Sequence, residues 1–333
     1  MALEIFRRVE TRKGLFAVEA TTLIYTLLTS VLIFILFDRL DHPWHMLFDR
    51  AAIVAMIVAQ VYLYRLAPCK AVAFVRTTTV MLLLSYWYPD TYEFNRLFPN
   101  LDHVFARAEQ GLIGSQPSLW LSEMFPQCWF SEAVNFGYFF YFPMMLILML
   151  FYFFFKFEHY EKVAFVVTTS FFVYYFLYIF IPVAGPQFYF PAIGMENAEA
   201  GVFPAVGDYF KNHLDLLPGP GCPDGFFYQM VDWSQTVGER PTAAFPSSHV
   251  GISTIIMIFA WRGNKWFFAA LFPVYLLLCT ATVYIQAHYF IDILAGFLSA
   301  FGIYWLACKM FSHWFRTPML LPYPSDKEES AKG

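Results

Sequence analysis

Two short stretches carry residue types that could do chemistry: Phe245-Pro246-Ser247-Ser248-His249-Val250-Gly251 and Ala287-His288-Tyr289-Phe290-Ile291-Asp292. His288 and Asp292 are four apart, so on one helix they share a face. A carboxylate there can accept a hydrogen bond from one imidazole nitrogen. That fixes the tautomer and leaves the other nitrogen free to attack. Pro246 and Ser247 suit a helix start, proline in the first turn and serine as the cap. The free amides of such an end, with the helix dipole, form a site ready for phosphate. Ser247 and Ser248 could add hydroxyl donors, and His249 could protonate a leaving oxygen. Taken singly, a buried ion pair and an incidental histidine on a capped helix account for the two stretches. Together, about 40 residues apart and at one membrane face, they point to phosphoryl transfer on a lipid.

The elements that must position these residues are membrane helices. The chain has 333 residues, of which 59% are hydrophobic and only 14% charged. Soluble domains carry about a quarter charged residues, so this chain cannot cover itself with a solvated surface. Its apolar runs are long enough to cross a hydrocarbon core. We expect an all-α, polytopic membrane bundle with eight spans near 20–37, 46–64, 70–88, 133–155, 162–182, 247–261, 266–286 and 288–311. The sixth is short, which suits a helix recessed at its outer end. No small-residue cleavage site follows the first run, so it reads as a retained span rather than a signal peptide. The net charge of -4 says little, because the charges divide between two membrane faces.

Basic residues orient the spans. With the N-terminus inside, the outer segments hold only Arg39, Arg50, Arg96, Arg107, Lys211 and Arg240 of the 21 lysines and arginines. Both termini are then cytoplasmic, and His249 and His288 both reach the outer face. The expected organisation is an N-terminal membrane region over 1–132, a catalytic membrane core over 133–311 and a cytoplasmic tail over 312–333, disordered from about Pro324.

Two outer segments are long. The first, about 89–132, alternates apolar and charged residues at helical spacing from Leu101 to Glu109, with Trp120 and Trp129 nearby; this suggests a helix lying in the interface. The second, about 183–246, is rich in proline and glycine and leads into the first chemical stretch, as a cap over a site would. Each segment holds one cysteine, Cys128 and Cys222. A disulfide between them and two unpaired thiols are both open. Cys69, Cys279 and Cys308 lie in or near spans as packing residues, and no cluster has metal-ligand spacing.

The pair F-P-S-S-H-V-G and A-H-Y-F-I-D-I-L-A-G resembles the second and third motifs of the type 2 phosphatidic acid phosphatase superfamily, P-S-G-H and S-R-x-x-x-x-x-H-x-x-x-D. The resemblance implies His288 as the nucleophile that forms a phosphohistidine, Asp292 as its support and His249 as general acid. It also implies membrane lipids as partners and a mechanism needing no metal or cofactor; no nucleic-acid partner is expected. Three departures stand out. Ser248 replaces the motif glycine, with its backbone N–H still available. Ala281 and Thr282 stand where the third motif has Ser and Arg. The first motif, K-x-x-x-x-x-x-R-P, is absent after the fifth span, where the chain reads Ile181-Pro182-Val183-Ala184-Gly185-Pro186-Gln187. That segment is similar to a P-x-x-P-P-R-like element of the branch that includes fungal inositol phosphorylceramide synthase, with Gln187 in the Arg position.

The missing cations raise a charge question, since a phosphoryl group in transfer normally meets Arg, Lys or metal. Arg240 is the best outer candidate and Lys211 a distant second. The leading expectation is headgroup transfer of an inositol-phosphate type onto a lipid alcohol. The alternative is a phosphatase acting on a phosphatidate-type or isoprenoid phosphate. A proton-coupled transporter would need polar residues near mid-membrane in several spans, and apart from Gln60 and scattered Ser and Thr there are few. A non-catalytic scaffold would leave the coincidence of two motifs unexplained. Similarity to compact bacterial members suggests a bacterial inner membrane with the site on the periplasmic face.

Overall fold

The computed structural model describes residues 4–8, 10–12, 14–315 and 320–321. The tail expected to be disordered from Pro324 lies outside them. The described chain is helical, apart from a two-residue pairing of Glu10–Thr11 with Leu320–Leu321. In order the helices are α1 Ala17–Ile35, α2 Pro43–Leu66, α3 Lys70–Leu82, α4 Leu84–Asn95, α5 Asp102–Ile113, α6 Pro117–Met124 and α7 Cys128–Phe139. There follow α8 Tyr141–Phe155, α9 Phe157–Phe180, α10 Pro186–Ile193, α11 Met195–Glu199, α12 Phe226–Gly238, α13 Ser248–Gly263, α14 Lys265–Tyr284 and α15 Phe290–Trp314.

Five helices (α1, α2, α9, α14 and α15) are long and apolar enough to cross a membrane, and the bent pair α7–α8 makes six. The chain is a multi-pass membrane protein. Eight full spans exceed what the described helices provide. The run expected at 70–88 divides at Leu83 into α3 and α4, of 13 and 12 residues. The sixth run is α13, whose 16 residues rise about 24 Å, short of a core about 30 Å thick. The bend of 47° between α7 and α8 falls at Phe140. Pro143 accounts for it, because it cannot donate to the carbonyl of Phe139.

The chain divides into two compact units. The first comprises the described residues within 1–86, 151–169 and 305–321. In it α1, α2 and α3 pack on one another. Arg76 of α3 is buried, pairs with Glu19 of α1 and lies over the Phe16 ring at 3.8 Å. The second unit comprises 87–150 and 170–304 and holds every candidate site residue. Here α14 packs along both α7 and α13. Gly251 lets α13 close on α9, since a Cβ there would strike the Tyr174 ring.

The long segment after the fifth expected span is folded. It contains α10, α11 and α12 and buries Phe188, Tyr189, Phe190, Phe203 and Phe210. Its helix α12 is pinned to α7. Cys222 is disulfide-bonded to Cys128, the first residue of α7, and the Cys222 N–H donates to Ser131 Oγ at 3.1 Å. One helical turn on, the Glu132 carboxylate accepts from the amides of Phe227 and Tyr228 at 3.0 and 2.9 Å, capping α12 where its own N-cap residue, Gly225, has no side chain to offer. Of the two alternatives open for the outer cysteines, the disulfide is the one formed. It closes a loop of 94 residues. Its reduction, or the double change Cys128→Ser/Cys222→Ser, should remove about 3–4 kcal/mol of stability, measurable as a lowered Tm in detergent. An unchanged Tm would mean that the loop is held by packing alone.

Candidate active site

The site assembles where α13 begins, α15 begins and the α12 segment ends. Ser247 is the N-cap of α13: its Oγ accepts from the Val250 amide at 3.4 Å. The Ser247 N–H donates to the Asp292 carbonyl at 3.0 Å, tying the two helix starts together. Ser247 is fully buried and does not line the cleft, whereas Ser248 does. The Ser248 amide, expected to be available for phosphate, donates to the Tyr178 hydroxyl at 2.9 Å, and that hydroxyl donates to the Pro246 carbonyl. The anion-ready helix end is therefore partly satisfied from within.

His288 is not on the helix that carries Asp292. It lies in the turn between α14 and α15, after Gln286, which takes the left-handed conformation at φ 63°. That conformation is uncommon for a residue with a side chain and occurs where surroundings enforce it. The Gln286 carbonyl accepts from the Gln187 amide and its side chain donates to the Ser118 carbonyl. The helical four-residue spacing therefore does not apply. His288 Nδ1 donates to the Ala244 carbonyl at 2.8 Å, while Asp292 Oδ2 stands 3.6 Å away and accepts instead from the Tyr289 amide. The tautomer-fixing partner is thus a backbone carbonyl from the segment before α13, and Asp292 supports the ring at ion-pair distance. With the proton on Nδ1, Nε2 carries the lone pair.

Both histidines line one cleft, which encloses about 300 Å³ of space partly open to solvent. Their ring centroids are 5.7 Å apart. His249 stacks on Tyr138 at 4.8 Å and also meets Tyr141. Arg240 and Gln187 line the same cleft, so the cation and the amide singled out in the sequence both reach the histidines' surroundings. Gln187 Oε1 accepts from Gln235 of α12 at 2.9 Å, and Arg240 Nη1 donates to the Glu239 carbonyl at 2.7 Å. Lys211 is not among the residues of this cleft and pairs with Asp208. Ala281 and Thr282, at the Ser and Arg positions of the family pattern, are buried; the Thr282 carbonyl accepts from the His288 amide.

Three carboxylates were not read as part of the site. Glu239 lines the cleft, accepting from the Tyr88 hydroxyl at 2.6 Å and the Tyr138 hydroxyl at 3.3 Å; burial raises its pKa, opposed by those bonds and by the His288 and Arg240 charges. Asp102, the first residue of α5, is fully buried against the backbone that follows Val183. It accepts from the amides of Ala184 and Gly185, the Asn100 side chain and the Tyr289 hydroxyl. Gly185 itself has φ 93° and leaves no room for a Cβ against the Ala287 carbonyl, so this strap lies directly on the histidine turn. The α5 helix, expected to lie in the interface, turns Asp102, Ala106 and Glu109 into the protein and Val104 and Leu112 outward.

Glu109 is the third. Its Oε2 accepts from the Ile291 amide at 3.1 Å at the start of α15, and its Oε1 has no partner among the described residues. Burial pushes its pKa up to about 7, opposed by the Ile291 hydrogen bond and helped by the nearby Asp292 charge. The folded protein thus holds this proton more tightly than the unfolded chain. The stabilisation is complete below about pH 4.5 and is lost as pH rises through about 7. Glu109→Gln should abolish that loss. Its Tm relative to the parent should rise between pH 5 and pH 8, by the equivalent of about 2–3 kcal/mol. A difference that stays constant with pH would refute the buried, protonated carboxyl.

No curated protein and no solved structure matches the chain. The sequence profile of the PAP2 superfamily matches residues 103–306, a stretch that spans α5 to most of α15 and contains all the cleft residues except Tyr88. On that match the chain belongs to the PAP2 superfamily, whose members are phosphatases and phosphotransferases.

Proposed function

We propose that the protein is a lipid phosphotransferase in which His288 Nε2 attacks the phosphorus of a phospholipid and His249 protonates the departing lipid alcohol. The reading rests on one observation: His288 Nδ1 is committed to the Ala244 carbonyl, so its other nitrogen is left for a cleft shared with His249 and Arg240. An anion bound between the rings would favour the protonated form of His249 that a general acid needs. The P–O bond to the leaving alcohol breaks as the bond to His288 forms. A second alcohol then attacks the phosphoryl-histidine and loses its proton to the now neutral His249, restoring His288. Asp292 stabilises the charge that develops on the His288 ring, Arg240 and the Ser248 hydroxyl bind phosphate oxygens, and Gln187 contacts the headgroup.

Transfer of a headgroup of the inositol-phosphate type onto a lipid alcohol fits better than release of phosphate. The cleft has a single Arg or Lys, which suits a singly charged phosphodiester better than a departing phosphate ion. The disulfide fits a site facing an oxidising compartment, which for a bacterial inner membrane is the periplasm. A dual-product assay tests the reading, using phosphatidic acid, phosphatidylinositol and a fluorescent ceramide with purified protein. Conversion of the ceramide to a phosphorylated headgroup product without free phosphate is the expected result. Free phosphate alone would make the protein a phosphatase.

A further inference from the structure

We propose that Glu239 sets the charge of the substrate, admitting phosphodiesters and turning away phosphomonoesters. The inference rests on the phosphotransferase reading above and adds a specificity residue to it. Glu239 follows α12 directly, and α12 is fixed at its other end by the disulfide and by Glu132, so the carboxylate is carried on a rigid arm. It lines the cleft with both histidines, and each of its oxygens accepts from a tyrosine hydroxyl, Tyr88 on one side and Tyr138 on the other. Those bonds and the Arg240 charge favour the acceptor-only, ionised form, against the burial that raises this carboxyl's pKa. Tyr138 also stacks on His249, which fixes the carboxylate near the proposed acid.

The charges then decide. Arg240 and a protonated His249 supply two positive charges, and Glu239 removes one. The remainder matches a phosphodiester, which carries a single negative charge. A phosphomonoester near neutral pH carries about 1.5 to 2 and would meet the carboxylate uncompensated. At a few ångströms in a partly desolvated cleft, one such unmatched charge changes binding by about tenfold or more. Glutamine keeps the shape and the acceptor oxygen while removing the charge.

The test compares kcat/KM for phosphatidylinositol and phosphatidic acid in the full-length protein and in Glu239→Gln. The expected result is a shift of about tenfold or more toward phosphatidic acid. An unchanged ratio, or a shift toward the diester, would overturn the proposal. His288→Ala run on both substrates separates the two levels: activity that survives it sinks the phosphotransferase site, whereas the ratio concerns Glu239 alone. If Glu239→Gln does not fold, the parent protein supplies the answer through inhibition by glycerol phosphate and glycerophosphoinositol between pH 5 and pH 8. The monoester gains its second charge across that range, near pH 6, and the diester does not. Inhibition by the monoester should weaken relative to the diester as pH rises; a constant or strengthening ratio would also overturn the proposal.

Discussion

His288→Ala should lower turnover at least about 10³-fold, equivalent to about 4 kcal/mol of transition-state stabilisation, while leaving a folded protein. The size follows from the role. Removing a nucleophile removes the covalent route altogether, and other residues of the unit cannot make up the loss. The cost to stability should be modest. His288 is only 3% exposed, but its ring hydrogen bond goes to the Ala244 carbonyl, and losing it costs about 1–2 kcal/mol. Thermal unfolding and gel filtration alongside the assay separate the two effects. A variant that retains a tenth of parent activity would leave His288 as a binding residue at most.

Asp102→Ala should be the most damaging single change to stability in the second unit, at about 4 kcal/mol or more. The carboxylate is fully buried and gathers four donors, two of them the successive amides of Ala184 and Gly185. Alanine would leave those donors unpaired away from water, each at a cost of about 1–3 kcal/mol before relaxation. Total stabilities are typically about 5–15 kcal/mol, so the loss is a large share. Activity should fall with it, because the Ala184-Gly185 strap presses on Ala287 beside His288, the proposed nucleophile. Asp102→Asn keeps one acceptor oxygen and should lose roughly half as much. Equal Tm values for the parent and Asp102→Ala would show that the strap is held by packing and not by this carboxylate.

The histidines were legible because ionisable groups in a membrane protein stand out against an apolar background. His249 and His288 begin two apolar runs, and both line the cleft. Arg240 was legible for the same reason, as one of six basic residues assigned to the outer segments. What the sequence concealed was the orientation of backbone groups. Nothing in H-x-x-x-D reveals that Gln286 turns left-handed and hands the Nδ1 proton to Ala244 rather than to Asp292. Nor could the Ser248 amide be known to be taken, since Tyr178 lies 70 residues earlier. Asp102 and Glu109 are seven apart, on one polar face of the helix that the alternation of Leu101 to Glu109 places in the interface. In a membrane protein that face can turn inward, and here it meets the unpaired amides of a strap and a helix start. Glu239 has a signal in the sequence: a carboxylate directly beside Arg240, the best candidate cation, just ahead of the motif.

The described helices supply five or six spans of the eight expected, and the difference lies where length and break chemistry decide. The run at 70–88 divides at Leu83 into two short helices, and α13 is too short to cross by itself. Hydropathy reports composition and is blind to both.

The central claim is a covalent phosphoryl group on His288. The most direct measurement is to incubate the protein with phosphatidylinositol labelled in its phosphate, without an acceptor alcohol, quench in alkali and map the labelled peptide. The account predicts label on the peptide containing His288, lost when ceramide is added before the quench and absent in His288→Ala. Label on another residue, or full transfer activity with no labelled protein at any time, would contradict it.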